Sequence, residues 1–258
     1  MKKADTVILV VSVGTMFTDT ITTTIGAIEG RIAESYPEYE VRRAFTSRRI
    51  IEKLKENDGL KVESVHEALD KALCDGVKKL IIQPTHLLDG EEYAYIRQEL
   101  AEYEGKFDTV ILGKPLLTSP PDLKKIAHIL VESSLLYDDG RTAICFVGHG
   151  SDGDSNDIYL KLQCRFWKMG YENHYVVTLK QKSDLNFRKN YQRIVLWPLM
   201  LTAGNHVRKD LAGTADSSWR KMLEKEGYEV LCIFDGLGQN PEIQKMYVEH
   251  VKAAIGEK

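Results

Sequence analysis

Long apolar runs are missing from this 258-residue chain, and no stretch approaches the ~18 consecutive apolar residues of a membrane span. The segment Val7–Val11, behind Lys2, Lys3 and Asp5, is too short and too early for a secretory leader, so a cytoplasmic location is expected. Cysteine is scarce as well. Cys74, Cys145, Cys164 and Cys232 form no CxxC pair, which excludes a zinc knuckle or a disulfide scaffold and fits thiols in a reducing compartment. An excess of positive charge is also absent: Lys+Arg 35 against Asp+Glu 38 leaves a formal charge of -3. Nucleic acid is therefore not an expected partner, and an anionic ligand must be met by a local patch. Neither GxGxxG nor Walker A spacing follows any strand candidate, so a nucleotide site is poorly supported. What remains, 43% hydrophobic and 28% charged, is the balance of a folded globular protein long enough for two domains.

Short β-branched runs at Val7–Val13, Lys79–Gln83, Thr109–Leu112, Thr142–Val147, Arg193–Leu196 and Glu229–Phe234 are each followed by a turn and then an amphipathic segment. That rhythm predicts βα units around parallel sheets. Helices are expected over Thr20–Ser35, Arg48–Glu56, Ser64–Asp75, Glu91–Tyr103, Asp122–Leu135, Ser155–Met169, Ser218–Glu226 and Pro241–Ile255. The chain also repeats itself. Residues 81–92 lie over residues 195–206, with Gly six positions after Pro in both copies (84 to 90, 198 to 204) and an ionisable residue two further on, Glu92 and His206. A second overlay sets Val11–Thr15 on Val147–Ser151, with Val13 in the place of His149. The reading is an α/β fold of two similar domains, 1–136 and 137–258, each with a central, mainly parallel sheet flanked by helices. Ligands of such sheets sit beyond the carboxyl ends of the strands, which brings Glu92, His149 and His206 into one neighbourhood in a cleft between the halves.

His149 stands between Gly148 and Gly150, which let backbone and ligand approach closely; a histidine hydrogen-bonded in a turn fits the same residues. Two imidazoles and a carboxylate suit a borderline divalent metal and leave coordination positions open, as expected of a metal that is handed on or does chemistry. His86 and Glu91 are near enough in sequence to act as outer partners, and packing or surface roles fit them equally. Arg42, Arg43, Arg48 and Arg49 surround Ala44–Ser47, a patch suited to carboxylates or, equally, a solvated charged turn. Arg208 and Lys209 form a second basic patch, and the Gly14-Thr15 turn is a further anion cradle.

At these residues the sequence resembles the anaerobic (class II, CbiK-type) sirohydrochlorin cobaltochelatases. The motifs are Val10–Thr15, Arg43–Ser47, Gly90–Tyr93, Gly148–Gly150, Pro198–Leu201 with Ala203–His206, and Leu237-Gly238 before Asn240-Pro241. The resemblance implies two similar α/β domains and insertion of Co(II) into sirohydrochlorin during anaerobic cobalamin biosynthesis, with no organic cofactor. It places the metal on Glu92, His149 and His206, the two histidines being catalytic, and the tetrapyrrole near Ser12, Gly14, Thr15, Arg43, Gly90 and Gly150. Fe(II) or Ni(II) as the inserted metal, and a tetrapyrrole- or haem-binding carrier on the same fold, are the other readings; a homo-oligomer is left open. Three positions depart from the pattern: Asn205 where Asp commonly precedes the second His, Gln239 for Glu, and Gly153 where another His is often found. Loss of a carboxylate at 205 is expected to weaken the orientation of His206.

Overall fold

The computed structural model describes residues 5–150, 156–180, 187 and 190–256. It divides into two compact units, Met1–Thr118 with Gly238–Lys258, and Ser119–Leu237.

The first unit is built on β1 (Thr6–Ser12), β2 (Glu40–Phe45), β3 (Lys79–Pro84) and β4 (Thr109–Leu112), all parallel in the order β2-β1-β3-β4. Its central strands, TVILVVS and KLIIQP, are buried almost end to end, because helices cover both faces of a parallel sheet. Val7, Leu9, Val11, Leu80 and Ile82 pack with Leu69 of α4 (Val65–Cys74) and Ile96 of α5 (Glu91–Ala101) in one buried cluster. Each such aliphatic side chain contributes about 1.5–3 kcal/mol. Between β1 and β2 runs a continuous helical segment: α1 (Thr18–Thr20), a π-helical turn at Ile21–Ile25 and α2 (Gly26–Ser35). α3 (Arg48–Asp58) follows β2. α4 is started by a reciprocal capping box in which Ser64 and Glu67 satisfy each other's backbone N–H.

The second unit repeats the plan with β5 (Thr142–Gly148), β6 (His174–Thr178), β7 (Arg193–Pro198) and β8 (Glu229–Cys232), parallel in the order β6-β5-β7-β8. Around it lie α6 (Pro120–Ser134), α7 (Asp157–Lys168) and α8 (Trp219–Lys225). The equivalence extends to single hydrogen bonds. Thr46 N–H donates to Ser12 O as Leu179 N–H donates to Gly148 O; Thr85 pairs with Val11 as Leu199 pairs with Val147; Gly113 pairs with Ile82 as Ile233 pairs with Leu196. Pro84 and Pro198 occupy the same register, which makes Val13 the counterpart of His149 and Glu92 the counterpart of His206, as the sequence overlays predict.

The expected division at 136/137 differs from this packing at both ends. α6, expected in the first half, packs on α7 of the second unit. α9 (Pro241–Ile255), expected in the second half, lies on α2, β3 and β4 of the first, where the Tyr247 hydroxyl donates to Thr85 O at 2.7 Å. The amphipathic faces of both helices are legible in the sequence, but not the sheet each one covers. Among the described residues, no helix is long and apolar enough to cross a membrane.

Candidate active site

In the second unit β5 ends in Gly148, whose Cα lies against the Tyr159 ring; a Cβ there would overlap it. Gly150 takes a φ of +80°, and a Cβ would stand 3.0 Å from Thr178, so this turn tolerates little but glycine. Between them His149 is exposed, with Nδ1 3.0 Å from Gly150 O. His206 arrives from β7 through the segment 199–205 and opens a second π-helical turn, Val207–Leu211. Its Nδ1 lies 2.7 Å from the Asp210 carboxylate, four residues on.

These partners fix the tautomers. A carbonyl oxygen and a carboxylate only accept, so in each neutral ring Nδ1 carries the proton and Nε2 carries a lone pair. The two Nε2 atoms face each other at 3.4 Å, with the rings edge to face at 81°. Two bare ring nitrogens at this distance repel unless a proton or a cation lies between them. Two imidazole ligands about 2.1 Å from one metal at a tetrahedral angle stand about 3.4 Å apart, so the observed spacing fits a shared divalent ion. Arg208 and Lys209 are exposed in the π-helical turn that follows His206.

In the first unit Glu92 sits in the first turn of α5, where the N-terminal dipole favours a carboxylate. The buried Thr46 at the end of β2 donates its hydroxyl hydrogen bond to Glu92 Oε2. Gly90, the residue before α5, has ordinary extended backbone and needs no glycine on conformational grounds. Gly14 does: its φ is +95°, and a Cβ would meet the Phe45 ring at 2.5 Å.

Other expected binding residues are engaged inside the unit. Ser12 is fully buried and accepts a 2.8 Å hydrogen bond from Thr85, and the buried Thr15 hydroxyl accepts from Phe17 N–H. Arg43 makes a two-pronged bond to Glu29 of α2, with Nε 2.8 Å from Oε1. It also lines a groove of about 460 Å³ with Thr18, Ile21, Thr22, Gly26, Asp58 and Leu60. Arg42 is paired with Glu40 and Asp75, so two of the four arginines of the patch are held by carboxylates, and Arg48 and Arg49 are exposed.

The two expected outer partners, His86 and Glu91, differ in setting. His86 is buried at the end of β3, with no hydrogen-bond partner for either ring nitrogen among the described residues, while Glu91 faces solvent. Burial lowers the His86 pKa to about 4, so the ring is neutral at pH 7. The carboxylate missing at Asn205 is present at Asp210, a His-to-Asp spacing of four that the sequence displays and that stacks both side chains on one helical face. Thr46 had no such signal, since parallel strand register and not local spacing brings it to Glu92. Gln239 lies in the 3-10 turn before α9, and Gly153 lies outside the described residues.

A family model described as cobalt chelatase (CbiK) matches residues 6–256. The sirohydrochlorin cobaltochelatase of Salmonella typhimurium is 32% identical over 263 residues, covering 99% of this chain and 97% of that one. The sirohydrochlorin cobaltochelatase CbiKC of Nitratidesulfovibrio vulgaris is 25% identical over 244 residues, covering 90% and 84%. Among solved structures, the sirohydrochlorin chelatase SirB of Bacillus subtilis in complex with cobalt superposes with a TM-score of 0.64 at 12% identity, covering 97% and 96%, a likeness of fold.

Proposed function

Since this chain belongs to the cobalt chelatase (CbiK) family, we propose that its reaction is insertion of Co(II) into sirohydrochlorin in cobalamin biosynthesis, with His149 and His206 as the metal-holding pair. The observation that carries the assignment of the pair is its geometry: two Nε2 lone pairs 3.4 Å apart, each ring held by a partner on its Nδ1. The resemblance adds Glu92 as the third ligand, and the Thr46 hydroxyl orients that carboxylate. Three protein ligands leave positions for the pyrrole nitrogens, so the metal can be passed on without being fully stripped of donors. Metallation replaces two N–H bonds of the macrocycle with bonds to Co(II) and releases two protons. A neutral imidazole that gives up the metal is free to accept one of them. Arg208 and Lys209, exposed in the turn that follows His206, are the cationic groups we assign to the carboxylates of the tetrapyrrole.

The test is an anaerobic absorbance time course of sirohydrochlorin with Co(II), Fe(II) or Ni(II), with and without the protein. Acceleration with Co(II) that is lost in His206→Ala, with the protein still folded, is the expected result. Near-normal turnover by His206→Ala would remove that residue from the mechanism. Haem binding without acceleration by any metal would make the protein a carrier.

A further inference from the structure

We propose that Asp210 is the positioning residue that keeps the histidine pair open for metal, and that it supplies the carboxylate which the resemblance would place at position 205. The inference rests on the assignment of His149 and His206 as metal ligands.

His206 has helical backbone, with φ -63° and ψ -40°, and the π-helical turn Val207–Leu211 follows it directly. On a helix the side chain four positions on lies over the same face, whereas the adjacent one points about 100° away around the axis. A carboxylate at 205 is therefore badly placed to reach the His206 ring from within its own turn. Asp210 is well placed, and at 2.7 Å its contact with Nδ1 lies in the range of charge-assisted hydrogen bonds. π-helical turns are rare and concentrate at functional sites, and this one carries the residue that contacts the ligand.

The consequence concerns the 3.4 Å gap between the two Nε2 atoms. With its proton held on Nδ1 by Asp210, His206 presents a bare Nε2 and cannot donate to His149. Without Asp210 the proton is free to move to Nε2, and Nε2–H then points at the bare Nε2 of His149. The pair would satisfy itself with a hydrogen bond that an incoming metal must break. Asp210 thus fixes the ring orientation and prevents the two ligands from closing on each other.

The test compares Asp210→Ala, Asp210→Asn, Asn205→Asp and His206→Ala in anaerobic Co(II) titrations against a competing chelator, without tetrapyrrole. Side-chain ¹⁵N NMR of the metal-free proteins reads the tautomer of His206. Asp210→Ala is expected to weaken Co(II) binding about 10–100-fold, the usual effect of removing an outer partner of a ligand histidine. It is also expected to move proton density on His206 from Nδ1 to Nε2, while metal-free sirohydrochlorin binding stays within about twofold. Asp210→Asn, whose amide oxygen still accepts from Nδ1–H, is expected to keep the tautomer and fall between wild type and Ala. Asn205→Asp is expected to leave Co(II) affinity within about twofold. If His206→Ala loses Co(II) but Asp210→Ala binds it like wild type with an unchanged tautomer, Asp210 has no positioning role and the ligand assignment stands. If His206→Ala also binds Co(II) like wild type, the ligand assignment fails and this inference fails with it.

Discussion

Acid should destabilise the second unit through one buried ring, His174. It is fully buried at the start of β6, and its neutral form is fully hydrogen-bonded: Nδ1–H donates to Asn173 Oδ1 at 2.9 Å, and Nε2 accepts from the Ser134 hydroxyl at 2.8 Å. Protonation would place a charge in the core and force Ser134 to turn its hydrogen toward Val131 O. Desolvation by burial accordingly lowers the pKa to about 4, against 6.5 for a free ring, with Asp138 opposing only weakly. The folded pKa is depressed, so the contribution to stability is fully present above pH 6.5 and is lost as the pH falls through about 4. Integrating the difference in bound protons gives a loss of about 1 kcal/mol by pH 5.5 and about 3 kcal/mol by pH 4.5. The assay is urea unfolding between pH 7.5 and 4.5 for wild type and His174→Gln, comparing the pH slopes so that carboxylates common to both cancel. The variant should be less stable at pH 7.5 and should approach wild type as the pH falls. Parallel curves across the whole range would refute the claim that this ring folds neutral.

Gly14→Ala should destabilise the first unit by about 1–3 kcal/mol, read by urea unfolding, because its φ of +95° and the Phe45 ring at 2.5 Å both oppose a Cβ. Arg43→Ala removes the two-pronged bond to Glu29 and should lower stability by about 1–2 kcal/mol while KM for sirohydrochlorin stays within about twofold; a several-fold rise in KM at unchanged stability would make Arg43 a substrate contact after all. Thr46→Val keeps the shape of a buried side chain but removes the donor to Glu92, and should weaken Co(II) binding about 10-fold in chelator competition if Glu92 is a ligand. Thr46→Ser should restore most of that loss.

How much of this was legible in the sequence depends on whether the signal was periodic or spatial. The four central strands, β1, β3, β5 and β7, each carry an unbroken apolar stretch of three residues or more, and the helices carry amphipathic faces, so both appear in one dimension. β2 and β6 escape that reading. Each forms one edge of its sheet, and Glu40–Phe45 carries three charges whose arginines face Glu29, Glu40 and Asp75, so the segment looks like a charged turn. The repeat placed Glu92 and His206 at equivalent positions because it preserves strand register. It is blind to what each side chain touches. Ser12, Thr15 and Arg43 carry the right chemistry for an anion but have internal partners, and nothing in one dimension separates an inward hydroxyl from an outward one. Asp210 is legible at a spacing of four from His206, but the spacing alone does not say that the two side chains turn toward each other.

The return of α9 to the first unit has a consequence for the order in which this protein is made. A chain emerging from the ribosome delivers β1 to β4 first, yet Ile243, Met246, Tyr247 and Val251, all buried, come only after the entire second unit. Until then the faces of α2, β3 and β4 that α9 covers stay wet, and Thr85 O lacks the Tyr247 hydroxyl. The second unit is continuous in sequence and can reach its native state during synthesis, whereas the first must wait for α9 to close it. A nascent chain stopped before residue 238 should therefore hold a protease-resistant second unit beside a first unit that is still open to cleavage.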